Sequence, residues 1–162
     1  MKRYIGTKLI NAKPMTRQAY NDFRGWTLPA DENGADEGYL VEYVDGGKGN
    51  TDHYAGYVSW SPADVFDRAY RPCEGMTFGQ AIEAMKAGQK VARAGWNGKG
   101  MFAYYVSANS YPVQTGAAKS HFGEGAMVPY NAYMAIKNIN ETVSTWVPSV
   151  NDVLSDDWSI VE

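Results

Sequence analysis

The sequence predicts an α+β fold of short antiparallel strands and a few helices, arranged as two small units. Three observations carry this. Short runs rich in Val, Ile, Tyr and Trp recur between turns rich in Gly, Asn, Asp and Pro, which is the pattern of short paired strands. A few segments carry helix-capping residues, and one, from Thr77 to Gly88, adds an apolar stripe at helical spacing. Arg71-Pro72-Cys73-Glu74-Gly75 then punctuates the chain and separates residues 1–72 from residues 76–162.

In the first unit, Tyr4 to Ala12 partly alternates and predicts a strand closed by Lys13-Pro14. Thr16 is placed to cap a helix running to about Phe23 and ending at Gly25. Pro29 to Gly38 is an acidic, turn-rich loop, and Tyr39 to Val44 is a strand. A polar turn, Asp45 to Asn50, leads to a second strand, Tyr54 to Trp60, so the two form a hairpin. In Ser61-Pro62-Ala63-Asp64 a cap, a proline at the first helical position and an early acid predict a helix to about Tyr70.

The second unit opens on Thr77 and Gln80, three apart as a capping box, with Phe78, Ile82 and Met85 on one helical face and Gly88 as the left-handed stop. A strand follows at Lys90 to Arg93, then a loop, Ala94 to Met101, and a strand from Phe102 to Val106. Ser107 to Val128, with glycines at 116, 123 and 125, is too long for a plain turn and is expected to be a lid or a mobile loop. Strands are expected at Tyr130 to Lys137 and Thr142 to Val147, a short helix after Pro148-Ser149, and a closing strand from Asp156.

The chain has 162 residues, 44% of them hydrophobic and 20% charged, which suits a globular core rather than a disordered chain. Net charge is −3 and no run of Lys or Arg occurs, so the electrostatic footprint of DNA or RNA binding is missing. Cys73 is the one cysteine, excluding an intrachain disulfide and a multi-cysteine zinc site. No signal segment and no stretch of 18 apolar residues is found, which points to a cytoplasmic protein without a membrane partner.

Motifs of common catalytic and cofactor sites are absent: there is no P-loop, dinucleotide fingerprint, nucleophile elbow or His-Glu-x-x-His helix. His53 and His121 are far apart in polar loops. Asp36-Glu37 and Asp156-Asp157 are adjacent pairs that face opposite ways on extended chain, poor acid/base dyads, and they are expected to be solvated turns. No metal, cofactor or catalytic residue is expected. Binding by aromatics and glycine loops remains.

The loop Ala94-Gly95-Trp96-Asn97-Gly98-Lys99-Gly100-Met101 is the best candidate for such binding. Glycines let backbone N–H groups approach a ligand, Trp96 offers a stacking face and Lys99 a cation. A glycine-rich hairpin with its tryptophan in the core fits the same residues.

The stretches from Met76 to Gly88, Lys90 to Met101, Thr145-Trp146-Val147-Pro148-Ser149 and Leu154-Ser155-Asp156-Asp157-Trp158 closely resemble, in order, the second family of phage Thoeris anti-defence proteins. Residues 1–72 look like a module found at the front of some phage proteins. The resemblance implies a non-enzymatic sponge in the cytoplasm of the infected bacterial host. It would bind a cyclic ADP-ribose isomer made by bacterial TIR enzymes, hold it uncleaved, and form a homotetramer with ligand pockets between protomers. For some members the family also implies capture of CBASS cyclic dinucleotides at separate sites. Carried onto this chain, it implies ligand contacts from Phe78, Arg93, Trp96, Asn97, Gly98, Met101, Thr145, Trp146 and Ser149.

Such a ligand carries an adenine, two riboses and a pyrophosphate. Trp96 and Trp146 suit stacking, Asn97 and the backbone near Gly98 suit hydroxyls or phosphate oxygens, and Arg93 suits the charge. Each has a plainer role open to it: Arg93 in a salt bridge, Lys99 in solvent, Trp158 in the core. Segment 107–128 is where the chain is expected to depart most from short members. An enzyme that degrades the signal, and a structural or protein-binding module, are the alternatives.

Overall fold

The computed structural model describes residues 1–162. The chain divides into two compact units, Met1–Arg71 and Pro72–Glu162.

Unit 1 holds β1 (Ile10–Pro14), α1 (Arg17–Arg24), β2 (Gly38–Tyr43), β3 (Tyr57–Pro62) and α2 (Ala63–Ala69), with an antiparallel sheet in the order β1-β2-β3. Thr16 caps α1 by accepting from the Ala19 N–H, and Gly25 ends it at φ 67°, as the sequence predicts. Tyr20, Leu40 and Val58 form the core, with Met15, Phe23, Tyr54 and Trp60 packed on it. The Arg17 guanidinium lies 4.4 Å from the Trp60 ring centroid, and Phe66 of α2 stacks on Tyr39 at 4.0 Å.

Two expectations in this unit are corrected. The first strand begins at Ile10, not Tyr4. Its template is β2, where Ile10 pairs with Tyr43; beyond that the partner chain enters a turn with Gly46 and Gly47 at positive φ, so residues 1–9 have no strand to pair with. The second hairpin strand runs on through Ser61 and Pro62, and Ser61 does not cap α2. The first helical N–H is taken instead by a backbone carbonyl, Ala63 N to Glu37 O at 3.1 Å.

Unit 2 begins with α3 (Phe78–Lys86), β4 (Lys90–Arg93) and β5 (Phe102–Val106). There follow β6 (Asn109–Pro112), α4 (Gly116–Phe122), β7 (Met127–Tyr130), β8 (Tyr133–Lys137), β9 (Val143–Trp146), α5 (Val150–Val153) and β10 (Trp158–Val161). The main sheet is antiparallel throughout in the order β10-β4-β5-β8-β9. Thr77 and Gln80 form the predicted capping box of α3, and Gly88 follows the helix at φ 91°.

Residues opposite one another across the ladders share a face. Ile160 opposes Val91, Val91 opposes Ala103, and Ala103 opposes Ile136. Phe78, Ala81 and Met85 of α3 pack with Met76, Val91, Ala103 and Trp158 in one buried cluster. The start of the unit is stitched to its end: Met76 and Trp158 exchange backbone hydrogen bonds of 2.9 and 3.2 Å, and the Ile160 N–H donates to Cys73 O. The closing strand is therefore central to the fold despite its terminal place in the chain.

Segment 107–128 is not a structureless lid. β6 and β7 pair antiparallel around α4, with Val113 and Val128 buried beneath them and Tyr111 edge-on to Tyr130 at 5.7 Å.

Trp158 is fully buried and its indole N–H donates to the Asp152 carbonyl at 3.0 Å. Trp158→Ala removes the centre of the core and orphans that carbonyl, and should destabilise unit 2 by about 3–5 kcal/mol in urea titration. A loss below about 1 kcal/mol would show that the cluster is not what holds the unit together.

Candidate functional site

The loop between β4 and β5 is positioned by charge. Arg93, at the end of β4, donates from Nε to Asp157 Oδ1 at 2.7 Å, from Nη2 to Asp157 Oδ2 at 3.4 Å, and from Nη1 to Asp152 Oδ1 at 2.9 Å. The Gly95 N–H donates to Asp157 Oδ2 at 2.8 Å. A Cβ on Gly95 would lie 3.0 Å from that oxygen and 3.1 Å from Arg93 Nη2, so the loop passes tightly over the ion pair here.

Asp152 joins the loop to the far end of the sequence. Its Oδ1 accepts from the Trp96 indole N–H at 3.0 Å as well as from Arg93. Its Oδ2 accepts from Ser149 N and Ser149 Oγ at 2.9 and 2.7 Å, while Ser149 Oγ accepts from the Asp152 N–H at 3.2 Å, the capping box of α5. Burial by itself would raise the Asp152 carboxyl, but hydrogen bonds from Ser149, Trp96 and Arg93 outweigh it and hold the group well below the usual carboxylate range. The hydrogen bond from Arg93 lowers Asp157 likewise, and the two carboxylates raise Arg93 in turn.

Above this base stand the rings. Trp96 is edge-on to Trp146 at 5.8 Å and to Trp158 at 5.3 Å; Trp146 meets Trp158 at 6.0 Å and Phe78 at 6.3 Å. Trp96 and Trp146 are half-buried and Trp158 is not exposed at all. Such edge-to-face contacts add roughly 0.5–1.5 kcal/mol per pair beyond burial and leave the rings little freedom.

The structure thus brings together Phe78, Arg93, Trp96, Trp146 and Ser149 from the expected set. Phe78 is buried with the core cluster rather than presented to a ligand. Arg93 is committed to two carboxylates, so its charge is already neutralised and it takes the salt-bridge role that the sequence left open beside ligand binding. Asn97 is exposed at the loop tip. Gly98 and Met101 lie on the loop's other flank with Ile139, where a Cβ on Gly98 would collide with the Met101 side chain. Thr145 neighbours Trp146 on β9 and so faces the opposite side of the sheet.

Asp152 and Asp157 were missed. Asp157 was expected in a solvated turn, but Arg93, sixty-four positions away, draws it in. The Ser149-x-x-Asp152 spacing is a legible cap signal; that the same carboxylate would meet Trp96 is not.

Two surface concavities lie elsewhere on the unit. One of about 280 Å³ is lined by residues including Lys90, Phe102, Tyr104 and Lys137, and an open one of about 400 Å³ by Met101, Asn138, Ile139, Asn140 and Thr142. Neither is lined by Trp96 or Trp146. No group of three His, Cys, Asp or Glu side chains is placed to hold a metal ion, and no helix is long and apolar enough to cross a membrane. Burial pushes the Cys73 thiol up, away from a reactive thiolate.

The family profile described as the Thoeris anti-defense 2-like domain matches residues 76–161, which contain the whole of this ring-and-ion-pair arrangement. The chain belongs to the Thoeris anti-defense 2-like family. It is 40% identical over 87 residues to the Thoeris anti-defense 2 protein of Bacillus phage SP01, covering 53% of this chain and 94% of the relative. Segment 107–128 lies inside the matched residues. Residues 1–75 lie outside the match, so the family assignment rests on unit 2.

The ion pairs make a pH-dependent contribution whose sign is fixed. Because Asp152 and Asp157 are lowered on folding, their contribution is complete above the unfolded carboxylate value of about 3.9 and is lost as pH falls through the folded values. Arg93→Met strands both carboxylates and should cost on the order of 3 kcal/mol at pH 7. Protonation relieves that cost, so the gap in melting temperature from wild type should narrow below about pH 4. A gap independent of pH would mean that the loss is one of packing.

Proposed function

We propose that unit 2 acts as a sponge: it binds the cyclic ADP-ribose isomer made by Thoeris TIR enzymes and withholds it uncleaved. The observation that carries this reading is the Trp96 and Trp146 pair, rigidly framed by Trp158 and by the Arg93–Asp152–Asp157 network, inside the domain that defines the anti-defence family. Rings already fixed before binding lose little freedom when a purine or ribose settles on them. With Arg93 neutralised, the pyrophosphate is met by Lys99, which makes no ion pair, by the Asn97 amide and by the loop backbone.

Holding without cutting is consistent with the carboxylates present. Asp152 and Asp157 are spent as hydrogen-bond acceptors and lie too low to donate a proton at neutral pH. A second copy of the chain completes the site in this reading, in a homotetramer. Beside the cage Val147, Val150 and Leu154 are 87%, 72% and 78% exposed, an apolar strip suited to burial against another protomer. Cyclic dinucleotides of CBASS are a second ligand class for the same protein at a separate site, and neither DNA nor RNA is a partner.

Sequestration requires a dissociation constant well below the working concentration of the signal, on the order of nanomolar. Calorimetry with the TIR-derived isomer should show such binding, and heating the complex should return the ligand intact by mass spectrometry. Trp96→Ala and Trp146→Ala should each weaken binding at least a hundredfold while light scattering still reports the tetramer. Recovery of a processed ligand would assign the protein to enzymes instead, and undiminished binding by both variants would move the site away from the cage.

A further inference from the structure

We propose that Asp152 is a positioning residue for ligand capture, acting through Trp96 and not by touching the ligand; this rests on the sponge reading above. The side chain is buried and all its acceptor contacts are made within the protein. Those contacts divide between its two oxygens. Oδ2 serves Ser149 and holds α5, while Oδ1 serves Trp96 and Arg93 and holds the loop.

The division has a geometric consequence. Trp96 and Trp146 come from stretches fifty positions apart, and the ring contact between them at 5.8 Å has no hydrogen bond of its own. Trp96 is held in plane by its N–H on Asp152. The α5 cap follows Trp146 by only a few residues, so one carboxylate sets the spacing of both walls. A site of this kind loses function when a supporting group moves by about 1 Å.

Asp152→Glu separates the two duties. Glu is the usual residue at this position of a capping box and preserves the cap of α5, but its extra methylene displaces the carboxylate from Trp96. Trp96→Phe keeps a ring and deletes the N–H that Asp152 holds. Binding of the TIR-derived cyclic ADP-ribose isomer is measured by calorimetry for wild type, both single variants and the double variant, with melting temperature and near-ultraviolet circular dichroism on each.

Asp152→Glu should unfold in one cooperative transition at a melting temperature lowered by the disturbed Arg93 contact, with a changed aromatic dichroism, and should bind at least tenfold more weakly when assayed well below that transition. In the Trp96→Phe background the same substitution should cost less than threefold, because the restraint it disturbs is already gone. Fully multiplicative losses would show that Asp152 does not act through Trp96. Wild-type binding with the Glu variant within threefold of it overturns the positioning role alone, whereas no binding by the wild-type protein overturns the sponge reading and this inference with it. If the Glu variant does not fold, Trp96→Phe alone carries the test: it should bind at least tenfold more weakly with a changed aromatic dichroism, and binding within threefold of wild type overturns the positioning role.

Discussion

The Asp152 carboxylate is the constraint on which unit 2 turns. It accepts hydrogen bonds from the Gly-Trp loop and from the α5 cap, and its backbone carbonyl accepts from the buried Trp158 indole. Charge, helix capping and core packing therefore converge on one residue. A buried carboxylate is costly unless its lone pairs are filled, and here Arg93, Trp96 and Ser149 fill them. Removing any one partner would weaken the others, since the rest would then face an incompletely solvated anion.

This arrangement assigns the aromatic residues different duties. Trp158 and Phe78 are buried and serve the core. Trp96 and Trp146 stand half-exposed on top of them, braced but not enclosed. Bracing from below is how a small domain presents rigid ring surfaces without losing them to its own interior. The Arg93 guanidinium belongs to the brace, so recognition of a charged ligand falls to the exposed loop groups at Asn97 and Lys99.

Unit 1 shows the same economy with different residues. Arg17 lies over Trp60, bonds Glu32 and Asp36, and ties the acidic loop to the start of α1. The acids of that loop, which in sequence read as a solvated turn, are partly spent on fixing it. Surface ion pairs contribute little singly, but a guanidinium shared by two carboxylates and a ring is held by its geometry as much as by its charge.

Local signals in the sequence determined the α+β class, the caps at Thr16 and Thr77, the stop at Gly25 and the helical stripe from Phe78 to Met85, because each depends on neighbours a few residues apart. The order of residues also carried the family resemblance that the domain match bears out. Strand limits were less legible: where β1 starts depends on where β2 turns away, and where α2 starts depends on the Glu37 carbonyl. The fates of Arg93, Asp152 and Asp157 lay wholly in the tertiary structure. Arg93 sits some sixty positions from the two aspartates, and the pairing of β10 with β4 and the seating of α5 bring their charges within hydrogen-bond reach. The Gly-Trp loop could be read as a site from its composition; that an aspartate at the other end of the unit holds it in place follows from the fold alone.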